Sequence, residues 1–386
     1  MTSPDSSPPE SVTLDPERQQ QARQYARLTR RLMLVDMVLG AAYIIMWLAT
    51  GLHLRTGEWV ASVAPGPWLA TALYALVFGL PYMAIDLPLS TYTGFVLPHR
   101  YGQSTQTLRS WLVDTIKGAA LSGVFGLILL EIMYALLRAA PALWWLYTAG
   151  VILLFSVILS TLSPVLIAPL FYKFTPLDDD DLTARLTHLA EQAGTAVRGV
   201  YRFDMSTRTR SANAAVMGLG ATRRIVLGDT LLAEFTPDEI ETVLAHELGH
   251  HVHRDMPAGI AINTILTLAS LFAAHLGLNV MTGWFGLSST ADPAGLPVFL
   301  AVTGVVGLLV MPLGNAYSRW REREADRYAL QATRKPDAFA SAMTRLANQN
   351  LADADPESWV VWLLNSPPPI RDRVGMANAY HATYPS

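Results

Sequence analysis

The chain has no cysteine, which excludes disulfides and thiolate zinc ligands and fits either redox compartment. Charge is also scarce. Lys, Arg, Asp and Glu make up 15% of the 386 residues, against roughly a quarter in ordinary soluble domains, while hydrophobic residues make up 51%. With a net charge of −3 there is no nucleic-acid signal, and neither a Gly-rich phosphate loop nor an internal repeat is present. No signal peptide is expected, because the first apolar run is of spanning length and lacks a small-residue cleavage site.

Six apolar stretches are long enough to cross a bilayer, for which a helix needs roughly 20 residues. They are residues 32–52, 68–89, 116–137, 143–163, 258–280 and 298–316. Buried core helices of a large soluble protein would be the competing explanation, but six runs of this length with almost no charge disfavour it. The basic residues set the orientation. Arg18, Arg23, Arg27, Arg30 and Arg31 precede the first stretch, Arg100 and Arg109 lie between the second and third with Lys117 at the very start of the third, and Arg319, Arg321, Arg323 and Arg327 follow the sixth. The alternate loops hold Arg55, Arg138 at the edge of a turn near Pro141, and no basic residue in 284–296. By the positive-inside rule, a multi-pass protein with both termini in the cytoplasm is expected, with the lipid bilayer as partner.

The loops divide the chain further. Residues 1–31 read as a flexible tail leading into a juxtamembrane basic helix, and 32–171 as membrane helices one to four. Residues 172–257 form a cytoplasmic segment, 258–317 hold membrane helices five and six, and 318–386 form a second cytoplasmic segment, helical with a break at Pro367-Pro368-Pro369. In the first soluble segment, residues 178–181 cap a helix running to Ala193, and β-like runs follow at 199–204, 214–219 and 224–227. The expected architecture is a polytopic α-helical membrane protein carrying a small α+β domain split across the sequence.

Within that domain stands His246-Glu247-Leu248-Gly249-His250. Histidines four apart on a helix share a face, so His246 and His250 can bind one metal ion with Glu247 beside the vacant coordination position. Such a pentapeptide also arises by chance, and its context argues against chance here. Thr236 is an N-cap, Pro237 opens the helix, and Glu239 closes a capping box, which puts the motif in the third turn. Ile240, Val243, Leu244 and Leu248 recur at helical spacing and supply a packing face. The implied chemistry is metal-assisted peptide hydrolysis, with Glu247 as general base.

A catalytic zinc takes three protein ligands and leaves the fourth position to water. Position 256, where a metzincin has its third histidine, is Met256. A glutamate from a downstream helix is the alternative, and residues 318–326 (SRWREREAD) offer Glu322 and Glu324, which point to nearly opposite sides. Glu322 is preferred, since Asp326 one turn on shares its face and can orient a zinc histidine through its distal nitrogen. The plainer alternative is a solvated helix of Glu–Arg pairs. His253 shares the face of His246 and is a candidate substrate contact, whereas His251 points about 100° away from His250.

These residues make the chain recognisable. It resembles the type I CaaX prenyl endopeptidases, integral-membrane zinc proteases with the HtpX-like quality-control proteases as more distant relatives. The likeness rests on YGQSTQT at 101–107 with Asp114 and Lys117, LFYKFTPL at 170–177, SANA at 211–214 with Gly218, RIVLGDTLL at 224–232, the His246 helix, and the SRxxExxAD pattern at 318–326. It runs from about Gln24 to Val374.

The resemblance implies a gluzincin-type protease domain with one Zn2+ per chain. His246, His250 and Glu322 would be ligands, Glu247 the base, and Asp326 a residue behind the ligands. It also implies that Asn213 and Ala214 lie as an edge strand beside the substrate, a mode that reads extended shape more than side chains. Substrates would be peptides or proteins, prenylated ones included, with quality-control proteolysis or a catalytically weakened chaperone or binding protein as alternatives. The family fold encloses a chamber between its membrane helices, with the zinc site at the cytoplasmic end. Two departures stand out. Family members have one more membrane helix at the N-terminus, and where their His-Pro-Pro segment has its histidine this chain has Pro367, or Ser366 if a gap is allowed. That histidine serves the oxyanion, and by position Arg373, which matches a family arginine, and His253 are the candidate replacement donors.

Overall fold

The computed structural model describes residues 13–218 and 223–384. The chain forms two compact units, each assembled from separated pieces. One contains Leu28–Phe171 and Arg254–Gly314; the other contains the described residues up to Arg27, Tyr172–His253, and the chain from Asn315 on.

The first unit holds the apolar helices. Among the described residues, six helices are long and apolar enough to span a membrane: Pro16–Ala49, Pro67–Arg100, Leu108–Ala139, Trp144–Phe171, Asp255–Trp284 and Pro293–Thr333. Each covers most or all of one expected stretch, the first helix ending at Ala49 instead of 52 and the fourth starting at Trp144 instead of 143, and two run well beyond their stretch. The boundaries expected at 31/32 and 317/318 fall inside continuous helices, because Gln, Arg, Ala, Glu and Leu on the polar sides are good helix formers and no proline interrupts them there. Backbone polar groups in a bilayer must be satisfied internally, and hydroxyls follow the same rule. Tyr43 donates to the Phe78 carbonyl at 2.6 Å inside a cluster with Trp47 and Tyr74.

The second unit is built on a four-stranded sheet of order β1-β2-β4-β3. The strands are β1 (Phe174–Pro176), β2 (Val200–Phe203), β3 (Ala214–Met217) and β4 (Arg224–Gly228). β2 and β4 are parallel, and β1 and β3 flank them antiparallel. Three strands fall on the expected runs, of which position 219 lies outside the described residues. β1 was not expected; it is three residues long and ends in proline, which an edge strand tolerates.

Leu186 on the Asp180–Gln192 helix, Ile225 and Leu227 on β4, Leu244 and Leu248 on the His246 helix, and Phe339 meet in one core. Asp179 caps the first of these helices through the Leu182 N–H at 2.9 Å. The His246 helix spans Pro237–Val252 and begins with the expected capping box. Thr236 Oγ1 accepts from the Glu239 N–H at 3.3 Å, and Glu239 Oε2 accepts from the Thr236 N–H at 2.8 Å.

Candidate metal centre

Two helices of the second unit build the site. His246, Glu247 and His250 project from Pro237–Val252; Glu322 and Asp326 project from the far end of Leu296–Thr333. The ligand atoms of His246, His250 and Glu322 all lie within 4.8 Å of one another. His246 Nε2 is 3.3 Å from Glu322 Oε2, and His250 Nε2 is 3.6 Å from Glu322 Oε1. Ligand atoms about 2.0–2.1 Å from a tetrahedral ion sit about 3.3 Å apart, so the separations suit a small divalent cation. The nitrogen–nitrogen–oxygen donor set suits zinc. The imidazoles are perpendicular, at 87° with centroids 4.9 Å apart, so that both Nε2 atoms reach Glu322 without the rings stacking.

Behind His246 lies a second layer. Asp326 is fully buried and its Oδ1 stands 2.9 Å from His246 Nδ1. Arg373, from the helix Ile370–Thr383, grips the same carboxylate twice, with Nε 2.9 Å from Oδ2 and an Nη 2.5 Å from Oδ1. That Nη also comes within 3.2 Å of His246 Nδ1. Nδ1 cannot both donate to Asp326 and accept from arginine. The carboxylate has no proton to give and is closer, so Nδ1–H donates to Asp326 and the guanidinium is a neighbour held there by Asp326. This tautomer leaves Nε2 as a lone-pair donor toward Glu322 and any ion beside it.

The electrostatics call for a cation. Burial alone would lower the His246 pKa, but the carboxylates of Asp326 and Glu322 outweigh it and hold it up at about 9. The upward shift shows that the surrounding carboxylates favour a positive charge at this point of the site. Burial and the charge on His246 push the His250 pKa down, which keeps that ring ready to donate a lone pair. Burial raises the Glu247 carboxyl against the opposing pull of both histidines, a direction that makes it a stronger base once ionised. Arg373 is pinned as a cation by Asp326 despite its burial.

The helices can approach because position 249 is glycine. A Cβ there would lie 3.0 Å from Ala325 Cα and 3.2 Å from the Ala325 carbonyl oxygen, so Gly249 and Ala325 set the distance across which Glu322 meets the histidines. Neither residue was singled out in the sequence, although both sit inside its motifs.

The remaining expected residues lie elsewhere in this unit. Glu324 pairs with Arg327 on the surface. Asn213 immediately precedes β3, its carbonyl accepting from the Gly228 N–H at 2.9 Å, and Ala214 opens β3. With 213 and 228 a hydrogen-bonded pair, antiparallel alternation turns the backbone groups of Ala214 and Val216 away from β4 to the sheet edge. There the Val216 carbonyl meets His251 Nε2 at 3.4 Å, a contact with no signal in the sequence. Arg373 stands on the Nδ1 side of His246, committed to Asp326. His253 packs edge-on against Tyr328, 6.1 Å between centroids. Tyr328 lies two residues, roughly 200°, around the helix from Asp326.

Residues 176–386 match the model of Peptidase family M48, and residues 2–173 match that of the CAAX prenyl protease N-terminal region, described as five membrane helices. Among the described residues, four of the six candidate spans fall within that second match. An uncharacterized metalloprotease of Bacillus subtilis, YhfN, is 30% identical over 92% of this chain and 84% of its own length. A CAAX prenyl protease 1 homolog of Arabidopsis thaliana is 32% identical over 75% of this chain and 69% of its own. The crystal structure of S. mikatae Ste24p superposes with a TM-score of 0.84, covering 96% of this chain and 92% of that one at 22% identity, and so shares the fold.

Proposed function

The chain belongs to peptidase family M48, and from that premise we propose that it holds one zinc ion on His246, His250 and Glu322, with Glu247 as general base. It is a multi-pass membrane metalloendopeptidase acting on protein or peptide substrates. The observation that carries the residue assignment is the meeting of three ligand atoms within 4.8 Å beside the partly buried carboxylate of Glu247, the residue after His246 on the same helix.

When bound, zinc supplies Lewis acidity toward the scissile carbonyl and lowers the pKa of water to about 7. Glu247 takes the proton of the attacking water and returns it to the leaving amine. Asp326 holds His246 in the tautomer that presents Nε2. Arg373 is a positioning residue acting through Asp326. Ala214, whose backbone groups face away from β4, supplies the strand edge on which an extended peptide would pair. The names of the relatives support CAAX-type prenylated proteins as the substrate class. The arginine distribution supports a cytoplasmic metal site and cytoplasmic termini.

The test uses Glu247→Gln purified in detergent. Bound zinc should remain at one per chain while cleavage of a prenylated CAAX peptide falls by about 10²–10⁴-fold, and an unmodified peptide should be the poorer substrate of the wild type. Wild-type turnover in the variant would reject the base assignment; equal cleavage of both peptides would reject the substrate class.

A further inference from the structure

The short helix Ser358–Leu363 carries two tryptophans, Trp359 and Trp362, that are 57% and 64% exposed. They are three apart and share a face, while Val360 between them is buried. Large aromatic side chains are highly buried on average, so a paired exposure of this size calls for something that covers it. We propose that Trp359 and Trp362 are seated in the headgroup layer of the bilayer, anchoring the Ser358–Leu363 helix to the membrane surface beside the metal-bearing helix end.

The height of this helix carries the argument. Asn315 Nδ2 donates to the Leu363 carbonyl at 2.8 Å, and Arg319, itself buried, donates to the Asn365 carbonyl at 2.5 Å. Both anchors sit where the last apolar run of the chain, residues 298–316, gives out. Trp320, 49% exposed with Arg321 stacked 4.8 Å over its ring, lies one turn further, about 6 Å along the axis. The layer between hydrocarbon and bulk water is about 5–8 Å thick on each side. The bonds to Asn315 and Arg319 therefore tie Ser358–Leu363 to the level of that layer, where tryptophan is favoured because its ring is apolar and its N–H is wet. Tyr317, 5.8 Å from Trp320 between centroids, continues the belt.

The absence of cysteine makes a clean test available. Trp359→Cys and Trp362→Cys would each be labelled with a nitroxide in the full chain, reconstituted into phosphatidylcholine nanodiscs, with Arg371→Cys as the solvent-facing control. Oxygen should relax the label at 359 and 362 more strongly than a water-soluble nickel chelate does, with the order reversed at 371. Nickel-dominated relaxation at both tryptophan positions would overturn the proposal. So would labels shielded only when a farnesylated peptide is added, since the face would then belong to substrate. Should the cysteine variants fail to fold, Trp359→Phe with Trp362→Phe keeps aromatic packing and should lose part of the tryptophan emission that brominated-chain lipids quench. Quenching equal to wild type would overturn the proposal as well.

Discussion

Gly249 and Ala325 touch where the helices of His246 and Glu322 cross, and a Cβ on the glycine would stand 3.0 Å from Ala325 Cα. The obstructing atoms are backbone, so they cannot rotate aside. Gly249→Ala should force the helices apart and move Glu322 from the histidines, at the cost of about 1–3 kcal/mol typical of overpacking. Zinc content of the purified variant should fall along with its thermal midpoint. Gly375→Ala is the control, because no atom lies within 4 Å of its would-be Cβ, and there alanine should stabilise the Ile370–Thr383 helix by up to about 1 kcal/mol. Full zinc in Gly249→Ala would show that the crossing distance does not govern the site.

The two carboxylates of the downstream helix give an internal comparison. Glu322 reaches both histidines, whereas Glu324 pairs with Arg327. Glu322→Ala should weaken zinc binding by more than the roughly 10–100-fold typical of a residue behind the ligands, and Glu324→Ala should leave it near wild type. Metal analysis of both proteins after dialysis against a graded chelator decides between them; loss confined to Glu324→Ala would sink the ligand assignment.

What was legible in the sequence was local or periodic. The capping box at Thr236 and Glu239, the face shared by His246 and His250, and the six apolar runs each write their cause within about 20 neighbouring residues. The face that Glu322, unlike Glu324, shares with Asp326 is likewise local, since the two lie four residues apart on one helix. What stayed hidden depends on partners far along the chain. β1 exists because Phe174, Thr175 and Pro176 pair with β2, and three residues ending in proline announce nothing by themselves. The clasp of Asp326 by Arg373 joins positions 47 apart, and His251 meets the carbonyl of Val216 only once the sheet edge and the metal helix have packed. The continuation of the first and last spanning helices was masked by a composition change, which alters solvation without breaking helical propensity.

A second charged cluster, away from the candidate metal site, predicts a pH dependence. Arg185 and Lys335 both bind Asp238 and Glu241, joining three helices or helix ends. Hydrogen bonds from Lys335 and then Arg185 hold the Asp238 carboxyl below its ordinary value. A depressed folded-state pKa contributes stability that is present above the unfolded value of about 4 and is lost as pH falls through the folded one. Asp238→Asn should therefore lower the thermal midpoint modestly at pH 7, since half-exposed pairs contribute about 1 kcal/mol or less. The gap to wild type should close as the pH is taken below about 4. A gap that widens toward acid would reverse the sign of the argument.

Arg373 separates two roles that its position alone leaves indistinguishable. As an oxyanion donor it would act on the substrate, and Arg373→Ala would keep zinc and stability while losing about 10²–10³ in rate. Its double hydrogen bond to the fully buried Asp326 argues for the other role. Removing the guanidinium leaves a carboxylate uncompensated in the interior, which costs about 3–5 kcal/mol, and frees Asp326 to shift away from His246. Arg373→Ala should thus lower the thermal midpoint and weaken zinc binding by about 10–100-fold. Arg373→Lys should recover part of both, because it restores the charge but not the two parallel N–H donors. Zinc titration and thermal unfolding of the two variants distinguish the roles: wild-type affinity and stability in Arg373→Ala, with only turnover reduced, would return Arg373 to the substrate.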